Sequence, residues 1–295
     1  MPWIEVLGQD IYYLEAGQGQ PLVFLHGMSS CGEAWWQQFE AFAADYRVIA
    51  FDSVNHGHSS NSPRDQEEPD RTDELEAVLA ALGVERPVLL GNSMGGATIL
   101  RWAARHPGTA RALVVSGMGV AARGPADRGP AERGPADRGP ADRGPARNRN
   151  IEPLDPEVLF LPIGDSLTQK LRDERPRMYE RYLRIRSTAT RLEYMRHPRP
   201  RSEKTVAETD TLLDRLPAVS SPMLVIIGSL DGLVPNAKRL QQVVPGAQYV
   251  EIEGAPHNVY WEAAAAWNSA VRAFLETTLD STLDSTLETT LESTH

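Results

Sequence analysis

Short apolar runs of strand length alternate with segments of helical period in two separate stretches of this 295-residue chain. DIYYLEAG, PLVFLHG, YRVIAFD, PVLLGNS and ARALVVSG come first, and PMLVIIGSLD and AQYVEIEG follow much later. Helix-like segments are interspersed among these runs: WWQQFEAFAAD, DELEAVLAALGV, GGATILRWAARHP and, last, VYWEAAAAWNSAVRAFLE. Strands that are apolar at nearly every position are buried on both faces. Their alternation with helices predicts an α/β fold with a mostly parallel sheet covered on both sides.

The stretch between the two sets has a different texture. RGPADRGPAERGPADRGPADRGPA repeats every five residues, and a Gly and a Pro in each unit exclude a regular helix or strand. The charged segment that follows, with SLTQKLRDER and RMYERYLRIRSTATRLEYMRH, is helical in pattern and rich in Arg and Tyr. A helical lid inserted between two halves of one sheet accounts for it. At the end of the chain, ETTLDSTLDSTLETTLESTH repeats every four residues. Its acids stand four apart and repel one another, and threonine is a poor helix former. The expected organisation is a core in two parts, 1–120 and 217–276, with a low-complexity linker at 121–148, a helical lid at 149–216 and a disordered tail at 277–295.

Charge and cysteine content narrow the classes. A net charge of −10 argues against a nucleic-acid-binding surface, which rests on clustered Lys and Arg. Cys31 is the single cysteine, so there is no intrachain disulfide and no cysteine-based metal cluster. The amino-terminal MPWIEVLGQD lacks the pattern of a signal peptide, and no run approaches the length of a membrane span. A cytoplasmic protein acting on a small molecule, with no nucleic-acid or membrane partner and no oligomer indicated, is the expectation.

The chemistry enters with GNSMGG, residues 91–96, at the end of one apolar run and the start of a helical one. Gly-x-Ser-x-Gly in that context is the nucleophile-elbow pattern, in which a serine occupies a strained turn between strand and helix. Ser93 would project at the carboxyl edge of the sheet, against a helix N-terminus that favours developing negative charge. A serine hydroxyl needs a base, and the base needs a carboxylate to orient it. Asp231 ends PMLVIIGSLD and His257 follows AQYVEIEGAP, both in the required chain order after the serine. The expected catalytic set is Ser93, Asp231 and His257, with the backbone N–H groups of Met28 and Met94 as the oxyanion hole and neither metal nor cofactor required.

Other candidates carry blander roles. His26 ends an earlier strand and suits loop shaping, and His106 precedes Pro107, where capping suffices. His56 and His58 form a His-x-His pair without the third ligand of a hydrolytic zinc site nearby. Asp52 ends a strand but precedes Ser93, and is read as structural. Trp35, Asn92, Tyr182 and Trp261 are the candidate pocket residues, with Trp36, Tyr179 and Tyr194 as further aromatics. The arginines from Arg172 to Arg201 are read as a solvated helix face.

Taken together, LHGMSS, FDSVNHGHSS, GNSMGGATILRWAARHP, GSLDGLVP and APHNVYWE resemble the α/β-hydrolase superfamily across most of residues 10–276. Within it, GNSMGGAT and the His257, Trp261, Glu262 pattern are similar to the meta-cleavage-product C–C hydrolases. The run after His-Gly, MSSCGEAWW, departs from that family's glycine-rich run. The resemblance also implies a lid arginine gripping the substrate's acid group, and no residue is assigned to it. A serine hydrolase of small esters or lactones is the leading expectation. Carbon–carbon bond hydrolysis on the same residues, and a non-catalytic ligand sensor on this fold, are the alternatives.

Overall fold

The structure, a computed structural model, describes residues 2–63, 66–121, 167–189 and 200–292, with side chains to Leu279. The repeat linker beyond Ala121, the first part of the expected lid and Tyr194 lie outside the described residues.

Eight strands form one sheet: β1 (Trp3–Val6), β2 (Gln9–Ala16), β3 (Pro21–Leu25), β4 (Arg47–Phe51), β5 (Val88–Asn92), β6 (Ala112–Ser116), β7 (Met223–Gly228) and β8 (Gln248–Ile252). Their order is β1-β2-β4-β3-β5-β6-β7-β8. The β1–β2 and β2–β4 pairings are antiparallel and all others are parallel. The sheet does continue across the interruption, because β6 pairs directly with β7 through Leu113 opposite Met223 and Ser116 opposite Ile226.

The apolar runs are explained by what covers each face. Val23 and Leu25 of β3 join one core cluster while Leu22 and Phe24 join the other, and β5, β6 and β7 alternate likewise. One face is covered by α2 (Arg71–Ala81), α3 (Met94–Arg105), α6 (Glu203–Arg215) and α7 (Val234–Val243). On the other lie α1 (Trp36–Phe42), α5 (Pro176–Ala189) and α9 (Ala264–Glu292), with the short α4 (Gln169–Glu174) and α8 (Val259–Glu262) between them. No helix among the described residues is long and apolar enough to cross a membrane.

Three elements depart from the sequence reading. Strand β1 is four residues long and lies at the sheet edge, so it lacks the apolar run that marks an interior strand. Helix α7, with Pro235 in its first turn, is not among the helices expected from the apolar period. The tail expected to be irregular from residue 277 instead continues α9 as far as Glu292. Its earlier turns are already packed through Trp267, Val271 and Leu275, and Leu279 still touches that cluster, so each added residue extends a helix without a new nucleation cost.

Helices α4 and α5 are fastened to the core beside α8. The Glu262 carboxylate accepts from the Thr168 backbone N–H at 2.9 Å and from the Thr168 hydroxyl. Arg175 donates to the Glu262 carbonyl at 2.9 Å, and the Arg181 guanidinium lies 3.9 Å over the Trp36 ring.

Candidate active site

Strand β5 ends at Asn92 and α3 starts at Met94, leaving Ser93 alone to make the turn at φ 52° and ψ −111°. A non-glycine residue there is strained by about 1–3 kcal/mol, and the surroundings must hold it. They do so through the backbone: the Ser93 N–H donates to the Ser116 carbonyl at 2.9 Å, and its carbonyl accepts from Ala97 N–H at 2.9 Å. The flanking glycines are required by space. A Cβ on Gly91 would lie 2.6 Å from the Gly95 carbonyl carbon, and one on Gly95 would collide with the Leu25 carbonyl. Although Ser93 stands at the helix N-cap, its hydroxyl makes no capping bond and stays available to the cavity.

Asp231 follows β7 and His257 follows β8. The Asp231 Oδ2 accepts from His257 Nδ1 at 2.7 Å, and Oδ1 accepts from the Leu233 backbone N–H at 3.0 Å. With the aspartate buried, this bond fixes the proton on Nδ1 and leaves Nε2 as an acceptor. Gly117, just after β6 with φ 55°, makes room for Asn92 and His257, since a Cβ there would lie 2.7 Å from Asn92 Oδ1 and 3.3 Å from His257 Cε1. The Ser-Gly that ends ARALVVSG is the signal for this position, and the sequence reading passed over it.

The loop after β3 approaches the elbow closely: a Cβ on Gly27 would sit 3.4 Å from Ser93 Cβ. His26 Nε2 accepts from the Ser53 N–H at 3.0 Å, so its proton is on Nδ1, which donates to the Gly27 carbonyl at 2.8 Å. Burial pushes the His26 pKa below the usual imidazole range, against the pull of Asp52, so the ring is neutral. Asp52 accepts from Gly32 N–H at 2.6 Å and from His58 N–H at 2.8 Å, tying the loops after β3 and β4 together. Met28 lines the cavity and is 50% exposed, while Met94 opens α3, where the first N–H groups have no intrahelical partner. His106 ends α3 with Nε2 2.8 Å from the Glu76 carboxylate. Among the described residues, no group of three or more His, Cys, Asp or Glu side chains could hold a metal ion.

A cavity of about 540 Å³ brings Ser93, Asp231 and His257 together with Met28, Asn92 and Tyr182. Trp35 and Trp261 do not line it. Both are fully buried, Trp35 against Tyr260 with 4.1 Å between ring centroids and Trp261 between Trp36 and Tyr182. The rings are drawn into the core beneath the cavity because they offer more apolar area there than at its polar wall, and Tyr260 takes their place in the lining.

Arg186 was missed altogether. It stands in the cavity wall at 7% exposure, whereas the sequence places it on a solvated face. Its Nη1 donates to the Tyr182 hydroxyl at 3.0 Å, its Nε is buried without a partner, and no carboxylate among the described residues pairs with it. The spacing of Tyr182 and Arg186, four residues apart on one helix face, is the pattern that could have found it.

Comparison with known proteins matches this architecture. Residues 20–264 match the alpha/beta hydrolase fold family. A non-heme chloroperoxidase of Kitasatospora aureofaciens is 39% identical over 105 residues, 35% of this chain and 38% of that protein's length. A pimeloyl-[acyl-carrier protein] methyl ester esterase of Vibrio atlanticus is 25% identical over 92% of this chain and 100% of its own. Among solved structures, an esterase from Rhodococcus sp. ECU1013 superimposes with a TM-score of 0.70 at 26% identity, covering 94% of this chain and 100% of that one. With the elbow turn, the sheet order and the family match in agreement, the chain belongs to the α/β-hydrolase fold family.

Proposed function

We propose that this chain is a serine hydrolase that cleaves a small-molecule carboxylic ester or lactone through an acyl-enzyme. The observation that carries the reading is the 2.7 Å bond from His257 to buried Asp231, in the same cavity as a serine held in a strained turn whose hydroxyl does not cap the helix. Ser93 Oγ attacks the acyl carbon while His257 Nε2 takes its proton. The imidazolium, stabilised by Asp231, then protonates the departing alkoxide. Water attacks the acyl-enzyme with His257 again as base, the acid is released, and the proton returns to Ser93. Developing charge on the carbonyl oxygen is met by the Met28 and Met94 N–H groups, each such donor supplying about 3 kcal/mol. The esterases among the similar proteins support ester chemistry.

A fluorophosphonate tests the assignment. It is expected to add once per chain, on Ser93 by peptide mass mapping, and to react far more slowly with His257→Ala. Labelling elsewhere, or none on folded protein, would contradict it.

A second reading, carbon–carbon bond hydrolysis of the meta-cleavage-product type, is favoured by one observation, the buried Arg186 in the cavity wall. It requires turnover of a dienoate acid in preference to simple esters.

A further inference from the structure

The nucleophile and the base come from strands that do not touch. Ser93 ends β5 and His257 follows β8, with β6 and β7 between them. Hydrogen bonds of the sheet therefore fix their separation only through two intervening strands, whose twist and slide accumulate. A direct link exists between their immediate neighbours. Asn92, which precedes Ser93, donates from Nδ2 to Oδ1 of Asn258, which follows His257, at 3.2 Å. Asn258 donates in turn from Nδ2 to the Tyr182 hydroxyl at 3.1 Å, and that oxygen also accepts from Arg186 Nη1 at 3.0 Å. All four side chains are buried in the cavity wall, so they have few alternative partners and losing one bond leaves a polar group poorly satisfied.

We propose that the chain Asn92–Asn258–Tyr182 is a brace that sets the register between nucleophile and base and ties that register to helix α5. Asn92 and Asn258 are then positioning residues, although the sequence places Asn92 among substrate contacts. The inference rests on the assignment of Ser93 and His257 made above. Its logic is geometric: attack requires the hydroxyl and the imidazole within hydrogen-bond reach, and a misplacement of about 1 Å costs on the order of 100-fold in rate. The two amides need only keep their flanking backbones at one separation, which a pair of short, buried, mutually bonded side chains does with little freedom to spare. Tyr182 extends the brace to the helix that roofs this side of the cavity, so displacement of α5 is felt at His257.

The test measures register in two independent ways. In the first, the acylation burst with a neutral aryl ester is followed by stopped flow in wild type, Asn92→Ala, Asn258→Ala, the double variant and Tyr182→Phe. The burst rate is expected to fall 10- to 100-fold in each asparagine variant, and the double variant to be no slower than the worse single one, because both remove the same link. Tyr182→Phe is expected to fall less, since it leaves the Asn92–Asn258 bond in place. The near-ultraviolet circular dichroism spectrum of each variant is expected to match wild type, which a general loss of structure would not allow. In the second, the low-field Nδ1 proton of His257 is followed by NMR without substrate, and is expected to broaden in Asn258→Ala and Asn92→Ala while melting temperatures stay close to wild type. Should the wild type show no burst at all, the ester reading fails and the proton signal alone decides the brace. Additive losses in the double variant, or burst rates and proton signal both unchanged in the single ones, would overturn it.

Discussion

Ser93 shows at the scale of one residue why a pattern of small neighbours was informative. Its backbone lies where a side chain is disfavoured, and the hydroxyl does not cap α3. Folding alone would prefer glycine there. Ser93→Gly is accordingly expected to be more stable than Ser93→Ala by about 1–2 kcal/mol in chemical denaturation, with neither variant active. In the proposed mechanism Asp231 acts through orientation rather than contact with substrate. Asp231→Asn keeps the shape of the side chain but offers the wrong partner to Nδ1, and is expected to lower kcat by about 10³- to 10⁴-fold with an unchanged circular dichroism spectrum. The same scale explains three misplacements. Trp35 and Trp261 are near the site in sequence, but nothing in the letters tells a cavity wall from the core behind it. Arg186 stands among many arginines, and its burial beside the Tyr182 ring and hydroxyl depends on how that helix docks on the core, which no local pattern records.

Elements are held in place by a few buried contacts at their ends. Helix α3 fits under β3 only because Gly95 lacks a side chain, and Gly95→Ala is expected to cost at least about 3 kcal/mol, read as a large fall in melting temperature. Helix α2 is started by Asp70, which accepts from Thr72 and Asp73 N–H at 2.8 and 3.1 Å and also meets Thr205 of α6 at 2.5 Å and Arg101 and Arg105 of α3, each at 3.2 Å. Burial alone would raise its pKa, but the Thr205 hydroxyl, Arg101 and the two backbone donors outweigh it and pull the carboxyl down to about 2 from 3.8. A carboxyl depressed on folding stabilises above its unfolded pKa and loses that contribution as pH falls through the folded one. Asp70→Ala should therefore lower stability by about 1–2 kcal/mol near neutral pH, and the gap to wild type should narrow as pH falls from 5 towards 2 in urea titrations. Interior strands and the long amphipathic helices were legible because burial on one or two faces writes a period into the sequence. An edge strand such as β1 and a late helix such as α7 write little of it. The tail misled for a different reason: its composition disfavours an isolated helix, yet it extends one that packing had already begun.

Across the whole molecule, the site exists because a parallel sheet brings the carboxyl ends of its strands to one edge. Ser93, Asp231 and His257 are separated by more than half of the chain but follow β5, β7 and β8 on that same edge, and the loop after β3 arrives beside them. The order of motifs made this part of the site legible without coordinates. Contributions from α5 were not, since they depend on how a charged, inserted segment folds back over the sheet. In the proposed reaction Ser93 carries an acyl group between two half-reactions, which rapid mixing of the enzyme with a short-chain 4-nitrophenyl ester tests directly. A burst of nitrophenolate equal to the concentration of enzyme, followed by slower steady turnover and absent from Ser93→Ala, is the predicted result. Linear release from the first milliseconds at equal rates in both proteins would contradict it.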